Sequence, residues 1–222
     1  MSGALSDIRV IALSSDLAGA WAARLFGDQG ADVILAEPPE GHCLRHEPPF
    51  VTTSDGSKES ALHAYANWNK RSVIIEDGAQ LTSLVSNADV LITNQRAPFS
   101  GKTKIAIDAL PTDGIHLSIT PHGLTGPWAG YPGNNLTLAS RVGWAAINRR
   151  VDEPPLQLPV RQTGYITGVA GFVSGVAAVI RRQQTGEGET VDLSQLEALS
   201  LTCYPWALMG NYIGGAVSYT HL

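Results

Sequence analysis

The chain is poor in cysteine, with Cys43 and Cys203 as its two cysteines among 222 residues. Two thiols so far apart, in a chain that resembles an intracellular protein, favour neither a disulfide framework nor a cysteine-based metal cluster. We therefore predict that both are buried thiols that serve packing. The six histidines also lack the spacing that places metal ligands on one helix face, so no metal is predicted. We expect these histidines to be solvated loop residues.

Positive charge is scarce as well. Lys and Arg together number 15 against 20 Asp and Glu, which gives a net charge of -5, and no run of basic residues is longer than a pair. Such a chain lacks the electrostatic footprint of nucleic-acid or anionic-lipid binding, so neither partner is predicted. An anionic ligand would have to be bound by local donors.

Long hydrophobic runs are nearly absent. The N-terminus has neither a basic segment nor an apolar run, so no secretory signal is predicted and we expect the protein in the cytoplasm. Residues 162–180 form an uncharged stretch that approaches the length of a membrane span. Its glycines recur at the spacing typical of a helix packed against another backbone in a globular core, and we favour that interpretation over a membrane span. They are Gly164, Gly168, Gly171 and Gly175.

Short apolar segments alternate with amphipathic ones along the chain. They predict strands over 9–13, 32–37, 72–76, 89–93 and 114–119, and helices over 17–29, 80–86, 164–180 and from about 194. Residues 54–60 are predicted to be a surface loop. Strands without alternation are typical of burial on both faces, so the fold class is α/β, with a Rossmann-like parallel sheet covered by helices.

The unit formed by the first two strands ends at Glu37, which suggests a dinucleotide site with this carboxylate on a ribose. The turn after the first strand contains one glycine, Gly19, whereas a pyrophosphate-binding turn uses three. We therefore favour a structural role for Glu37, in which it accepts hydrogen bonds from nearby turns. The sequence has no Gly-x-Ser-x-Gly elbow after a strand, so nothing in it favours a serine hydrolase.

Several short motifs occur in a fixed order. They are LAG (17–19), GADVI (30–34) with EPPEG (37–41), NWNKRSV (67–73), ADVLITN (88–94), SITPHG (118–123) with TGPW (125–128), PG (132–133), TGEGE (185–189) and VDLS (191–194). In this order and spacing the chain resembles the family III CoA-transferases. That group includes formyl-CoA transferase, carnitine CoA-transferase and the alpha-methylacyl-CoA racemases.

The resemblance implies a large domain of Rossmann type and a smaller domain that comes from sequence beyond this chain. Residues 1–216 would form the N-terminal part of the large domain and the start of a linker. Residues 217–222 are similar to the translation of a sequencing adapter, and we leave them out of the fold prediction. Two chains would interlock as a homodimer, or this chain would pair with an intact homologous half.

The resemblance also implies that coenzyme A binds over the strand ends as a substrate. Backbone and amide donors would hold the adenine and ribose, while Arg96, Lys102 or Arg45 would contact phosphates. Lys102 and Arg45 are equally well explained as solvated loop residues, and Pro38 stands where some members carry an Arg. The predicted CoA contacts are Leu17, Ala18, Ala66, Asn67, Trp68, Asn69, Asn94, Gln95, Arg96, Lys102, Gly133 and Asn134.

In the transferases an Asp carboxylate attacks the acyl-CoA thioester and then carries CoA as an enzyme thioester. Gly164 stands at that position here, so no catalytic residue is matched. We expect this glycine to serve close packing or an unusual backbone angle. The nearest acids in sequence, Asp152 and Glu153, are expected in an exposed turn. The racemases use a His and an Asp as acid and base, but Asn134 and Asn135 occupy the His region, which disfavours that branch.

Two functions therefore stay open. The first is a CoA-transferase that moves CoA between an acyl-CoA and a carboxylic acid, with a carboxylate from elsewhere in the protein replacing the missing Asp. The second is a non-catalytic CoA-binding or scaffolding half, paired with an intact copy. Both functions predict CoA binding, and the first alone predicts acyl exchange.

Overall fold

The computed structural model describes residues 3–94, 101–148 and 152–203. Its strands are β1 (Arg9–Leu13), β2 (Asp32–Glu37), β3 (Phe50–Thr52), β4 (Lys58–Ser60), β5 (Arg71–Ile74), β6 (Val90–Thr93), β7 (Ile115–Thr120) and β8 (Glu189–Ser194). Its helices are α1 (Leu17–Asp28), α2 (Ala61–Ala66), α3 (Gly78–Val85), α4 (Thr103–Ala109), α5 (Asn135–Arg141), α6 (Trp144–Ile147) and α7 (Gln162–Thr185). Short 3-10 turns span Cys43–His46 and Pro159–Arg161, and residues 195–203 are helical.

Six strands form one parallel sheet in the order β5-β2-β1-β6-β7-β8. Alternate side chains of each central strand enter different cores, because successive residues of a strand point to opposite faces. Val10 and Ala12 pack with α1 and α7 on one face. Ile11 and Leu13 pack with α3 and α4 on the other face. The predicted α/β fold with both faces covered is therefore confirmed.

The predicted strands agree with the structure to within a few residues. The segments 9–13 and 32–37 match β1 and β2 in full, and 114–119 is shifted by one residue from β7. The largest shift is at β5, predicted as 72–76 and observed as Arg71–Ile74. This strand lies at the sheet edge and all four of its residues are exposed, so burial there does not set its ends.

The loop predicted over 54–60 is wrong in its last three residues. Lys58–Ser60 forms β4, which pairs antiparallel with β3 in a separate two-stranded sheet. Thr53 and Ser57 close the turn of this hairpin, where the Thr53 N–H donates to the Ser57 carbonyl at 3.0 Å. Both strands are largely exposed, so no apolar alternation marks them in the sequence.

Helix α7 is longer at both ends than the predicted 164–180. It begins at Gln162 and continues through the charged Arg181 and Arg182 to Thr185. Charged residues continue a helix readily on the surface, and α7 ends where Gly186 adopts a left-handed conformation (φ 73°). The end of the uncharged run is therefore not the end of the helix.

The glycines of α7 lie on the face that contacts α1, as predicted for close packing. A Cβ at Gly168 would lie 2.7 Å from Trp21 Cβ and 2.9 Å from the Ala18 carbonyl oxygen. A Cβ at Gly175 would lie 2.8 Å from the Phe26 ring. Pro159–Thr185 is nonetheless long and apolar enough, by length and composition, to span a membrane. Core helices pass the same test, and the glycine contacts place this one against α1.

Candidate functional site

A cavity of about 460 Å³, which we call the site cavity, opens between the N-termini of α1 and α7. The cavity lies beyond the end of β1, where Ser15 is one of its lining residues. Asn94, the residue after β6, donates a hydrogen bond from its side-chain amide to Ser15 Oγ at 3.3 Å. The sheet order reverses between these two strands, and ligands of α/β proteins bind at such a point. The cavity is lined by Ser15, Asp16, Leu17, Ala18, Cys43, Leu44, Glu47, Gly133, Asn134, Asn135, Leu136, Gln157, Arg161, Thr163, Gly164 and Gln195.

The N-terminus of α1 brings a carboxylate into this cavity. Asp16 has extended backbone and caps the helix, because its Oδ1 accepts a hydrogen bond from the Gly19 N–H at 2.9 Å. Its Oδ2 accepts from Gln195 Nε2 at 3.2 Å. Asp16 is thus held from both sides by neutral amide donors.

The N-terminus of α7 brings a cation. Val160 and Arg161 both have positive φ, 46° and 58°, immediately before the helix. Such backbone is uncommon for residues other than glycine and is enriched at functional sites. The Arg161 guanidinium forms an ion pair with Glu47. Asn135 Oδ1 accepts from Thr163 Oγ1 at 2.8 Å, which ties α5 to the first turn of α7.

Gly164 lines the site cavity in the first turn of α7. A Cβ at this position would lie 3.0 Å from both Cβ and Cγ of Leu17. Its φ is not among the positive values, so close packing, and not an unusual backbone angle, accounts for the glycine. Leu17 occupies the space that a side chain at position 164 would enter.

A second cavity, of about 390 Å³, shares Gly133 with the site cavity and extends over the ends of β6 and β7. Asn94, Thr120, His122 and Tyr131 are among its lining residues. Burial lowers the pKa of His122, and the nearby Arg141 lowers it further. The two cavities are therefore neighbours, with Gly133 between them.

The predicted CoA contacts divide into two groups in the structure. Leu17, Ala18, Gly133 and Asn134 line the site cavity. Asn94 lines the second cavity, as Gly133 also does. Gln95 and Arg96 lie outside the described residues. The structure therefore brings the loop after β1, the end of β6 and the turn at Gly133 together. Their contact with CoA stays a prediction.

The other predicted contacts line neither cavity. Ala66 is buried against α1. Asn67 accepts from Lys70 Nζ at 2.6 Å, and Asn69 donates to Asp28 Oδ1 at 2.7 Å. Trp68 is exposed, and Lys102 donates to the Ile75 carbonyl at 3.1 Å. Their contact with CoA stays a prediction.

Glu37 has the structural role that we favoured. Its carboxylate is 2% exposed and accepts from Arg45 Nε at 2.6 Å, from the His42 N–H at 2.8 Å, and from Ser72 Oγ. Burial alone would raise the pKa of Glu37, but these hydrogen bonds outweigh it and lower the pKa to about 2. Arg45 is thereby paired with a carboxylate, and its side chain stays 44% exposed.

Replacing Glu37 with glutamine is expected to lower the free energy of unfolding by at most about 3 kcal/mol at neutral pH, since about 2.5 pKa units separate folded from unfolded Glu37. The folded pKa is depressed, so this stability is present above pH 4.5 and is lost as the pH falls toward 2. Denaturant unfolding of both proteins at several pH values would show the difference shrinking below pH 4.5. Glu40→Gln, at an exposed carboxylate, is the control. A pH-independent difference would contradict the account.

The prediction of solvated loop histidines is wrong at three described positions. His63 lies in helix α2 and is half-buried. His42 and His116 are 1% and 4% exposed. Burial lowers the pKa of His42 to about 3, with a further contribution from Lys70, so this ring is neutral. His42 lies in a proline-rich stretch of sequence that resembles an open loop, but the Glu37 network folds that stretch back onto the sheet.

The prediction of two buried thiols is confirmed for Cys203 and wrong for Cys43. Cys203 is buried, whereas Cys43 is half-buried and lines the site cavity. Burial, followed by the charges of Asp16 and Glu47, raises the pKa of the Cys43 thiol to about 12. A thiol with this pKa is protonated at neutral pH and is a poor nucleophile. Within the described ranges, no group of three His, Cys, Asp or Glu residues is placed to hold a metal ion.

Sequence reasoning missed Asp16, Glu47, Arg161 and Gln195 as site residues. The predicted exposed turn at Asp152 and Glu153 is confirmed, and neither residue lines the site cavity. A usable signal existed for Asp16, because a polar residue directly after a buried parallel strand lies at the edge where ligands bind. The other three approach the cavity only through the tertiary fold.

Comparison with known proteins agrees with this architecture. The family model for CoA-transferase family III matches residues 5–219. The chain is 35% identical over 209 residues to a succinate–glutarate CoA-transferase of Agrobacterium fabrum, covering 88% of this chain and 52% of the relative. It is 31% identical over 201 residues to the succinyl-CoA:(R)-benzylsuccinate CoA-transferase subunit BbsE of Thauera aromatica, covering 87% and 49%. The chain belongs to CoA-transferase family III, and it spans about half the length of these relatives.

The solved structures give the same fold. A CAIB/BAIF family protein from Brucella suis superposes with a TM-score of 0.87 at 29% identity, over 98% of this chain and 60% of that chain. The predicted family is thereby confirmed from both sequence and structure. Because the match covers 98% of this chain, it includes the parallel sheet and its covering helices.

Proposed function

We propose that this protein binds an acyl-CoA thioester at the carboxyl-terminal edge of its sheet and transfers the CoA to a small dicarboxylic acid. The single observation that carries the proposal is the site cavity at the point where the strand order reverses, in a chain of CoA-transferase family III. A volume of about 460 Å³ is in the range of small-molecule sites. The names of two relatives, a succinate–glutarate and a succinyl-CoA:benzylsuccinate enzyme, support a dicarboxylic acid.

The lining of the cavity supports the same substrate class. Among the described residues, Arg161 is the cationic side chain that lines it, and Asn134, Asn135 and Gln195 add neutral amides. A guanidinium binds a carboxylate through two parallel hydrogen bonds. One carboxylate of the acceptor would react, and the other would accept from Arg161 N–H groups that do not contact Glu47, so the ion pair between Arg161 and Glu47 stays in place. Coenzyme A would reach the cavity across the turn at Gly133, which borders the second cavity as well.

The test is an exchange assay with the full-length chain, succinyl-CoA and glutarate, followed by chromatography of the CoA esters. We expect glutaryl-CoA to accumulate with release of succinate. A monocarboxylate of similar length, such as valerate, is the control for the second carboxylate and should exchange more slowly. Binding of CoA without any exchange would instead identify the non-catalytic CoA-binding half.

We also propose that the whole protein acts as a pair of like chains, either a homodimer or this chain with an intact homologous copy, in the cytoplasm. One relative is named as a subunit, which supports a pair. The mass of the full-length protein in solution, measured by light scattering, tests the proposal. A single chain that exchanges CoA would contradict it.

A further inference from the structure

Two carboxylates line the site cavity in the described part of the chain, Asp16 and Glu47. The two carboxylates differ in their hydrogen-bond and ion-pair partners. Glu47 is in an ion pair with Arg161, so converting it to a neutral ester would leave a half-buried guanidinium without its counter-ion. Asp16 accepts from the Gly19 N–H and from the Gln195 amide, which are neutral donors. Only Asp16 can lose its charge in this cavity without leaving a cation unpaired.

Asp16 is also next to the place where the family's carboxylate is expected. A side chain at position 164 would begin 3.0 Å from Leu17, and Asp16 directly precedes that leucine. Helices α1 and α7 pack against each other through this contact. Both helices present their N-termini to the same cavity, one with Asp16 and the other with Gly164.

Three features fix Asp16 in position. The extended backbone of Asp16 directs its carboxylate back over the first turn of α1. A Cβ at Gly19 would lie 2.4 Å from Ser14 Oγ and 3.5 Å from Asp16 Oδ1, so glycine is required for this turn to close. Gln195, which is 5% exposed, holds the second oxygen at 3.2 Å. A carboxylate positioned by fixed donors is suited to nucleophilic catalysis.

Resting on the proposed function, we propose that Asp16 is the carboxylate that attacks the acyl-CoA thioester. An Asp16 oxygen forms a bond to the acyl carbon, the carbon–sulfur bond breaks, and CoA leaves as a thiolate. The thiolate then attacks the Asp16 carboxyl carbon, which releases the donor acid as a carboxylate and leaves an Asp16–CoA thioester. The acceptor carboxylate displaces the thiolate to form a new anhydride. The thiolate attacks the carbonyl carbon that this anhydride takes from the acceptor acid, which gives the new acyl-CoA and releases the Asp16 carboxylate.

The experiment combines kinetics with a chemical trap. The full-length chain is incubated with succinyl-CoA and treated with hydroxylamine, which converts an activated carboxyl group into a hydroxamate, and its peptides are analysed by mass spectrometry. We expect the hydroxamate on the peptide that contains Asp16. Asp16→Asn should lower glutarate exchange at least roughly a thousandfold, the scale of losing a nucleophile.

Asp16→Asn has a matched control. Asparagine caps helices as well as aspartate does, so the folding of α1 should be unaffected. Asp77 caps α3 in the same way, with its Oδ1 accepting from the Gln80 N–H at 2.8 Å, and it lies outside the site cavity. Asp77→Asn should therefore exchange CoA like the wild type. Both variants should unfold at the wild-type midpoint.

The outcomes separate this inference from the proposed function. Wild-type exchange with the hydroxamate on another carboxylate, Glu47 included, overturns the role of Asp16 and leaves CoA transfer standing. CoA exchange that persists in the Asp16→Asn variant also overturns the role of Asp16 and leaves CoA transfer standing. Absence of both exchange and hydroxamate in the wild type overturns the two together.

Discussion

Gly164→Asp is expected to raise the rate of CoA exchange at least about tenfold, equivalent to about 1.4 kcal/mol of transition-state stabilisation. The new carboxylate would stand at the N-terminus of α7, in the wall of the site cavity, where the family places its nucleophile. The effect should be largest in an Asp16→Asn background, because in that variant the carboxylate at position 164 takes over the role of the missing Asp16 carboxylate. The measurement is kcat for succinyl-CoA and glutarate in the wild type, the single variants and the double variant.

Gly164→Asn is the matched control for this change. It introduces the same volume without a nucleophilic carboxylate, and both variants must displace Leu17, which lies 3.0 Å from a Cβ at this position. Such crowding costs about 1–3 kcal/mol. A carboxylate in the first turn of a helix stabilises the folded protein by about 0.3–1 kcal/mol, so Gly164→Asp should be more stable than Gly164→Asn. Equal exchange by both variants, or no gain by either, would contradict the loss of a carboxylate at this position.

Gly168→Ala is expected to lower the free energy of unfolding by about 1–3 kcal/mol, although alanine favours helices over glycine by about 1 kcal/mol. The reason is that its methyl group would lie 2.7 Å from Trp21 Cβ and 2.9 Å from the Ala18 carbonyl oxygen. The Ala18 oxygen is backbone, so it cannot move without separating α1 from α7. Denaturant unfolding followed by circular dichroism measures the change.

Gly101→Ala is the control for adding a methyl group. Within the described part of the chain, no atom lies within 4 Å of a Cβ built at Gly101, and its φ is not positive. This variant should unfold within about 0.5 kcal/mol of the wild type, as ordinary surface substitutions do. A Gly168→Ala protein more stable than the wild type would show that propensity, and not contact with α1, governs this helix.

The strands and their burial were predictable because they are dictated locally. Apolar segments such as Val10–Leu13 lack alternation, and that pattern alone indicates a strand covered on both faces. The four glycines of α7 likewise predicted close helix packing from their spacing. The C-terminal end of α7 was not predictable from charge, because the helix continues through Arg181 and Arg182 on the surface.

The composition of the site cavity could not be predicted in the same way. Asp16, Glu47, Arg161 and Gln195 are far apart in sequence and meet only because α1, α7 and β8 share one edge of the fold. Asp152 and Glu153, the acids nearest in sequence to Gly164 on its N-terminal side, are exposed as predicted and lie outside the cavity. His42 was misjudged for a related reason, because Glu37 and Arg45 fold its loop inward through hydrogen bonds that no local pattern reveals.

Oxygen transfer is the most direct measure of whether a protein carboxylate carries CoA in this chain. Glutarate labelled with oxygen-18 in its carboxylates would be incubated with succinyl-CoA and the full-length chain, and the released succinate analysed by mass spectrometry. If a protein carboxylate forms anhydrides with both acids, labelled oxygen passes from glutarate to the protein and then to succinate over successive turnovers. Succinate that stays unlabelled while glutaryl-CoA forms would contradict covalent transfer through any carboxylate of the protein.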